Sequence, residues 1–186
     1  MKKTIIAVIL ALALTAVVLP VAAFADTGSV DCTVSAGTVG VTVSPTSVSY
    51  GTLPLDAVKN TAQYDATNNT AGMSTPQTVT IETSGGVAVD MSIQSSNALG
   101  STDWTLGASR GDETFTHAYN VSDTLYDGTS GITFTQWSAA GADVEIASNV
   151  TNVTKYLELE LGMPNATIDI GEHTITVTVT AVQHEG

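Results

Sequence analysis

Cysteine is almost missing from this chain of 186 residues, and Cys32 stands alone. A single cysteine closes no internal disulfide, so the fold must rest on its core and the thiol is either free or bonded to another chain. Basic side chains are also scarce, five Lys and Arg against 18 Asp and Glu, a net charge of −13. No cationic stripe is present to neutralise phosphates, which excludes nucleic acid as a partner and disfavours anionic lipid heads.

The residues of catalysis are thin as well. His117, His173 and His184 lie far apart, and none falls in a His-Glu-x-x-His or similar metal spacing. No Gly-x-Ser-x-Gly elbow occurs, and Ser84-Gly85-Gly86 lacks the Lys and the helix of a phosphate loop. These absences predict a protein that is not an enzyme, with no catalytic residues, no metal ligands and no cofactor. His117 falls on the apolar side of a strand pattern and reads as a core histidine.

One long apolar run is present. Met1-Lys2-Lys3 precedes an apolar stretch from Ile5 to Ala25, broken only by Thr15 and Pro20 and closing on Ala23-Phe24-Ala25. Positive, then apolar, then small-x-small is the order of a secretory signal peptide. The run is long enough to cross a bilayer. Pro20 would kink such a span, and a retained anchor would leave the small-residue site without purpose. Cleavage after Ala25 is therefore expected, with 1–25 a signal peptide and 26–186 a single domain in a secreted or cell-surface protein. The mature chain would keep Lys59, Arg110 and Lys155 against 18 acids, a net charge of −15, and no second run is long enough to span a membrane.

Beyond Ala25 the dominant signal is alternation, the period of a half-buried strand. Val39, Val41 and Val43 show it, as do Val79 and Ile81, then Val87 through Ile93, Phe115 through Val121, and Leu157 through Met163. The last run is the most regular: Ile175, Val177, Val179 and Ala181 interleave with Thr174, Thr176, Thr178 and Thr180. Turn formers separate the runs, and Gly85-Gly86 predicts a hairpin between its flanking strands. Ala139–Val150 is the best candidate helix, but Gly141 and its β-branched residues argue for strand or loop. The expected fold is all-β, a single immunoglobulin-like antiparallel β-sandwich of eight or so strands.

Residues 41–60 contain Ser44-Pro45, Val48, Tyr50-Gly51 and Leu53. This pattern resembles the opening of hydin-type and choice-of-anchor immunoglobulin-like domains, and Gln77-Thr78-Val79-Thr80-Ile81 is similar to their next strand. Pro45 would end one short strand, Val48 and Tyr50 would point inward, and Gly51 would allow a bend or bulge. Asp103-Trp104-Thr105-Leu106 resembles the first W-x-L motif of WxL cell-wall-binding domains, and residues 171–182 are similar to their closing strand. The second Trp-x-Leu is replaced there by Val177-Thr178-Val179. Both resemblances imply the same fold and compartment.

Other motifs have ordinary readings. Arg110-Gly111-Asp112 is a short tripeptide on an expected loop. Asp123 and Asp127 border a glycine-rich stretch without the acidic ladder of a dedicated Ca²⁺ loop. Trp104 and Trp137 fit packing positions, whereas exposed Trp104, Trp137, Tyr64 or Tyr126 in a cluster would mark a binding face. Asn68, Asn120, Asn149, Asn152 and Asn165 each begin an Asn-x-Ser/Thr sequon.

Two functions remain open. One is a non-catalytic structural subunit of the cell surface, its segment Ser29–Val43 pairing as an extra strand with the open sheet edge of another copy or another envelope component. The alternative is an adhesive binding module for a cell-wall polymer, glycan or protein partner.

Overall fold

The computed structural model describes residues 27–36, 40–169 and 171–185. The expected signal peptide, residues 1–25, lies outside them. Among the described residues the fold is all-β, two sheets packed as a sandwich, with no helix.

The strands are β1 (Thr27–Ala36), β2 (Gly40–Ser44), β3 (Ser47–Thr52), β4 (Val58–Asn60), β5 (Val79–Ser84) and β6 (Val89–Leu99). They continue as β7 (Thr105–Leu106), β8 (Thr114–Ser122), β9 (Thr135–Gln136), β10 (Val144–Val150), β11 (Thr154–Gly162) and β12 (His173–Gln183). The first sheet runs in the order β10-β6-β12-β1-β3. The second runs β2-β5-β11-β8-β7, with β4 added to β11 and β9 to β8.

The alternating pattern of β12 does what its sequence predicts. Ile175, Val177, Val179 and Ala181 are buried between the sheets, and the threonines between them are half-buried on the outer face. Facing them across the interior are Val79 and Ile81 of β5, Phe115 and His117 of β8, and Leu157, Leu159 and Leu161 of β11. Each fully buried aliphatic side chain stabilises the fold by about 1.5–3 kcal/mol relative to exposure.

The stretch around Pro45 also follows its sequence. Val48 and Tyr50 are buried. Gly51 takes φ 69°, and the pairing with β1 slips there, Ser29 facing Ser49 but Gly28 facing Gly51. That is a bulge at a residue free to adopt left-handed backbone.

Four expectations need correction. The sandwich has twelve strands among the described residues, and it is not wholly antiparallel: β1 runs parallel to β12, and β7 to β8. Gly85 and Gly86 do take positive φ, 113° and 71°, but they do not close a hairpin. β5 belongs to the second sheet and β6 to the first, so the turn carries the chain from one layer to the other.

The outer face of β11 is not left to water either. Glu158 is only 2 % exposed, because the segment 61–78 crosses over it and donates hydroxyls from Thr61 and Thr78, each at 2.5 Å. Finally, Ser29–Val43 is not one strand. It divides between β1 in the first sheet and β2 in the second.

Candidate functional site

The feature that stands apart is the position of β1. It lies inside the first sheet and bridges two strands that do not touch each other. On one side it pairs in parallel with β12 over nine register positions, Gly28 with His173 through Ala36 with Ala181. On the other it pairs antiparallel with β3, Thr27 with Thr52 through Asp31 with Ser47. Val30, Cys32, Val34 and Ala36 stand in register with Ile175, Val177, Val179 and Ala181, the buried row of β12. Backbone groups of β12 and β3 therefore both depend on a strand at the N-terminal end of the described chain.

The outer edges of this sheet are guarded. β10 pairs with β6 irregularly, its register shifting between Glu145 and Ala147 and again between Ala147 and Val150. Asp90 fixes that distortion, its carboxylate accepting the Ser148 hydroxyl at 2.7 Å and the Asn149 N–H at 2.9 Å. With His184 Nδ1 also 2.9 Å away, these hydrogen bonds hold Asp90 down to about 2. At the opposite edge Gln77 covers β3, accepting from Ser49 N–H at 3.0 Å and donating to Ser49 C=O at 2.8 Å. Bulges and capped backbone both discourage pairing with a stray strand.

The end of the sandwich where β1 begins is built around Trp104, the tryptophan of the W-x-L triplet. Trp104 is 2 % exposed and stacks on His173, ring centroids 3.6 Å apart. Its indole N–H donates to Thr167 Oγ1 at 3.0 Å. The ring nitrogens of His173 face the carbonyls of Gly171 and Thr102, at 3.1 and 3.0 Å. Asp169 lies 3.4 Å from Nε2, and hydrogen bonds from the Ser101 hydroxyl and the Thr102 and Gly171 N–H groups hold its carboxyl down to about 2. Leu99 and Ile168 are exposed at the same end.

The other residues singled out in the sequence are dispersed. His117 is fully buried, its Nδ1 2.8 Å from Ser95 Oγ and its ring 4.9 Å from that of Trp137; burial pulls its pKa down to about 3. His184 binds Asp90 through Nδ1. Arg110 pairs with Asp56 at 2.7 Å, and Gly111 and Asp112 lie in a bridged turn against Thr114 and Ala166. Asp123 is ion-paired with Lys155 at 2.6 Å. Asp127 accepts from the N–H and hydroxyl of Thr129, which lower its pKa. No cluster of His, Cys, Asp or Glu among the described residues has the makings of a metal site.

Trp137 is buried like Trp104, so the tryptophans form no exposed binding face. A cleft of about 670 Å³ is lined instead by residues that include Gln63, Gln77, Leu125, Tyr126, Asp127 and Tyr156. Tyr64, 47 % exposed, does not line it. Tyr156 comes from β11 and Tyr126 from the loop after β8, and no local pattern announces that both line one cleft.

Compared with protein-family models and with curated proteins, the chain matches none.

Proposed function

We propose that this chain is an exported, non-catalytic structural subunit of the cell surface that assembles by exchanging its N-terminal strand between copies. The observation that carries the reading is the seat of β1 between β12 and β3. A domain lacking that strand has a slot with backbone donors and acceptors on both walls and an apolar row along one of them. Cleavage after Ala25 would leave Thr27, the first residue of β1, one residue from the new terminus. Such a strand has a free end and needs no threading to leave. Only residues 37–39 separate it from β2, and a short hinge favours exchange over refolding within the chain.

The guarded edges at β10 and β3 argue for this slot over simple addition at an open edge. Each copy that donates its strand to a neighbour and receives one from another makes a head-to-tail contact, which grows a fibre unless it closes into a ring. A non-catalytic role is supported by the three histidines, each of which already packs or bridges within the fold.

The test is native mass and negative-stain imaging of residues 26–186, with and without reductant, beside a chain that starts at residue 37. The expected result is concentration-dependent oligomers of the longer chain. The shorter chain should capture a labelled peptide of residues 27–36. A longer chain that stays monomeric, with a shorter one that ignores the peptide, would sink the proposal.

The cleft between Tyr126 and Tyr156 supports a second reading, a surface module that stacks a sugar ring on an aromatic face. Retention on intact cell-wall material that is lost in Tyr126→Ala would favour it.

A further inference from the structure

The end of β10 and its connection to β11 hold two sequons back to back, Asn149-Val150-Thr151 and Asn152-Val153-Thr154. Both asparagines are exposed, and both take left-handed backbone, φ 53° and 49°. That backbone accounts for asparagine at each position, because its short polar side chain tolerates the left-handed region. It does not account for threonine two residues later in both cases. Among the described residues neither threonine hydroxyl has a hydrogen-bond partner, and Thr151 is exposed.

The other three sequons have structural explanations. Asn120 lies half-buried in β8 and donates Nδ2 to Thr133 C=O at 2.8 Å. Thr167, which completes the Asn165 sequon, bridges the Trp104 indole and Glu113. Asn68 directs Nδ2 at Thr129 C=O, 3.3 Å away. At the β10–β11 connection, by contrast, Asn152 uses its Oδ1 to accept from Gly86 N–H at 3.2 Å, which leaves Nδ2 unengaged among the described residues. Nδ2 is the atom that receives sugar.

We infer that Asn149 and Asn152 are N-glycosylation sites, acceptors for an oligosaccharide carried on a polyprenyl phosphate or pyrophosphate. Nδ2 attacks the anomeric carbon and the C–N bond forms. The bond from that carbon to the phosphate oxygen breaks, the polyprenyl carrier departs, and Nδ2 gives up one proton. The inference rests on export, the one part of the proposed function it shares. A glycan here adds hydrophilic bulk beside β10, at the edge strand that Asp90 already holds bulged.

The experiment is peptide mapping and intact mass of the protein purified from cells that naturally make it. The expected result is a glycan mass on the peptide containing residues 149–154 and none on the peptide containing Asn120. Replacing Thr151→Ala with Thr154→Ala should remove it while both asparagines stay in place, and the matching Thr→Ser pair should retain it. A bare 149–154 peptide in protein that begins at Asp26 overturns the glycan sites and leaves export standing. A bare peptide in protein that still begins at Met1 overturns both. Sugar that survives the double alanine change also overturns the assignment.

Discussion

Gln77 binds Ser49 as a neighbouring strand would, its amide oxygen taking the Ser49 N–H and its amide nitrogen donating to the Ser49 carbonyl. Ser49 is paired by β1 on one side and by a side chain on the other. Gln77→Ala uncovers the outer edge of β3. The expected outcome is a loss of about 1–2 kcal/mol in urea unfolding, from two hydrogen bonds. Light scattering should also rise with concentration, because the edge is open to pairing. Unchanged scattering would mean that Gln77 does not guard the edge.

The pH dependence of stability should be led by His117. Burial lowers its pKa from 6.5 to about 3, so the folded protein keeps it neutral where the unfolded chain takes up a proton. Stability is then full above about pH 6.5 and falls as pH drops toward 3, at up to about 1.4 kcal/mol per unit. By pH 5 the loss should be about 2 kcal/mol. Glu158 and Glu160, both raised by burial, work in the opposite direction in the acid range. Asp90 and Asp169, both lowered to about 2, add their losses only below pH 4. Urea unfolding from pH 7 to 4.5 should show the decline in the wild type and a nearly flat line in His117→Phe.

How far the sequence carried this fold can be judged from particular residues. The strict alternation of Ile175 to Ala181 placed β12 with the correct face inward, and Gly51 announced its bulge. Both signals are local. Gly85-Gly86 marks a turn and the alternation on either side marks its two strands, but nothing local shows that these strands join different sheets, because turn chemistry sets the backbone angle and not which sheet the next strand enters. The alternation of Leu157 through Met163 marks a strand but carries no sign that Glu158 is covered, because its cover, Thr61 and Thr78, is some 80–97 residues distant in sequence. The segment Ser29–Val43 reads as strand, yet only its first part, in β1, sits between β12 and β3, and that seat depends on the last strand among the described residues. The tyrosine cleft and the hydroxyls of Thr151 and Thr154 became legible only once the elements were placed.

Glu158 gives a graded test of its cover. Glu158→Gln removes the buried charge and keeps an acceptor for one threonine hydroxyl, and should cost about 1 kcal/mol. Glu158→Ala strands both hydroxyls and opens a cavity, and should cost about 3 kcal/mol. Hydrogen exchange should quicken across residues 61–78 in the alanine variant while β6 and β12 stay protected. Uniform quickening would show that the segment is not a separate cover.

At the end where β1 enters, Gly100 sits against the imidazole of His173. A Cβ on residue 100 would fall 2.5 Å from two atoms of that ring. His173 is held by its stack on Trp104, so it has little room to yield. Gly100→Ala should destabilise by about 1–3 kcal/mol and lower the melting temperature. Adding His173→Ala should make the residue 100 substitution nearly neutral, and two additive losses would refute the clash.

The parallel pairing of β1 with β12 also decides how the molecule bears tension. The strands run in the same direction, so the start of β1 and the finish of β12 lie at opposite ends of the sandwich. A pull applied at these two points drags one strand lengthwise along the other. The backbone bonds between them are then loaded together in shear, instead of being peeled apart one at a time. The same ladder in a fibre of exchanged strands would run between neighbouring copies, and stretching the fibre would load each junction in the direction in which it resists most.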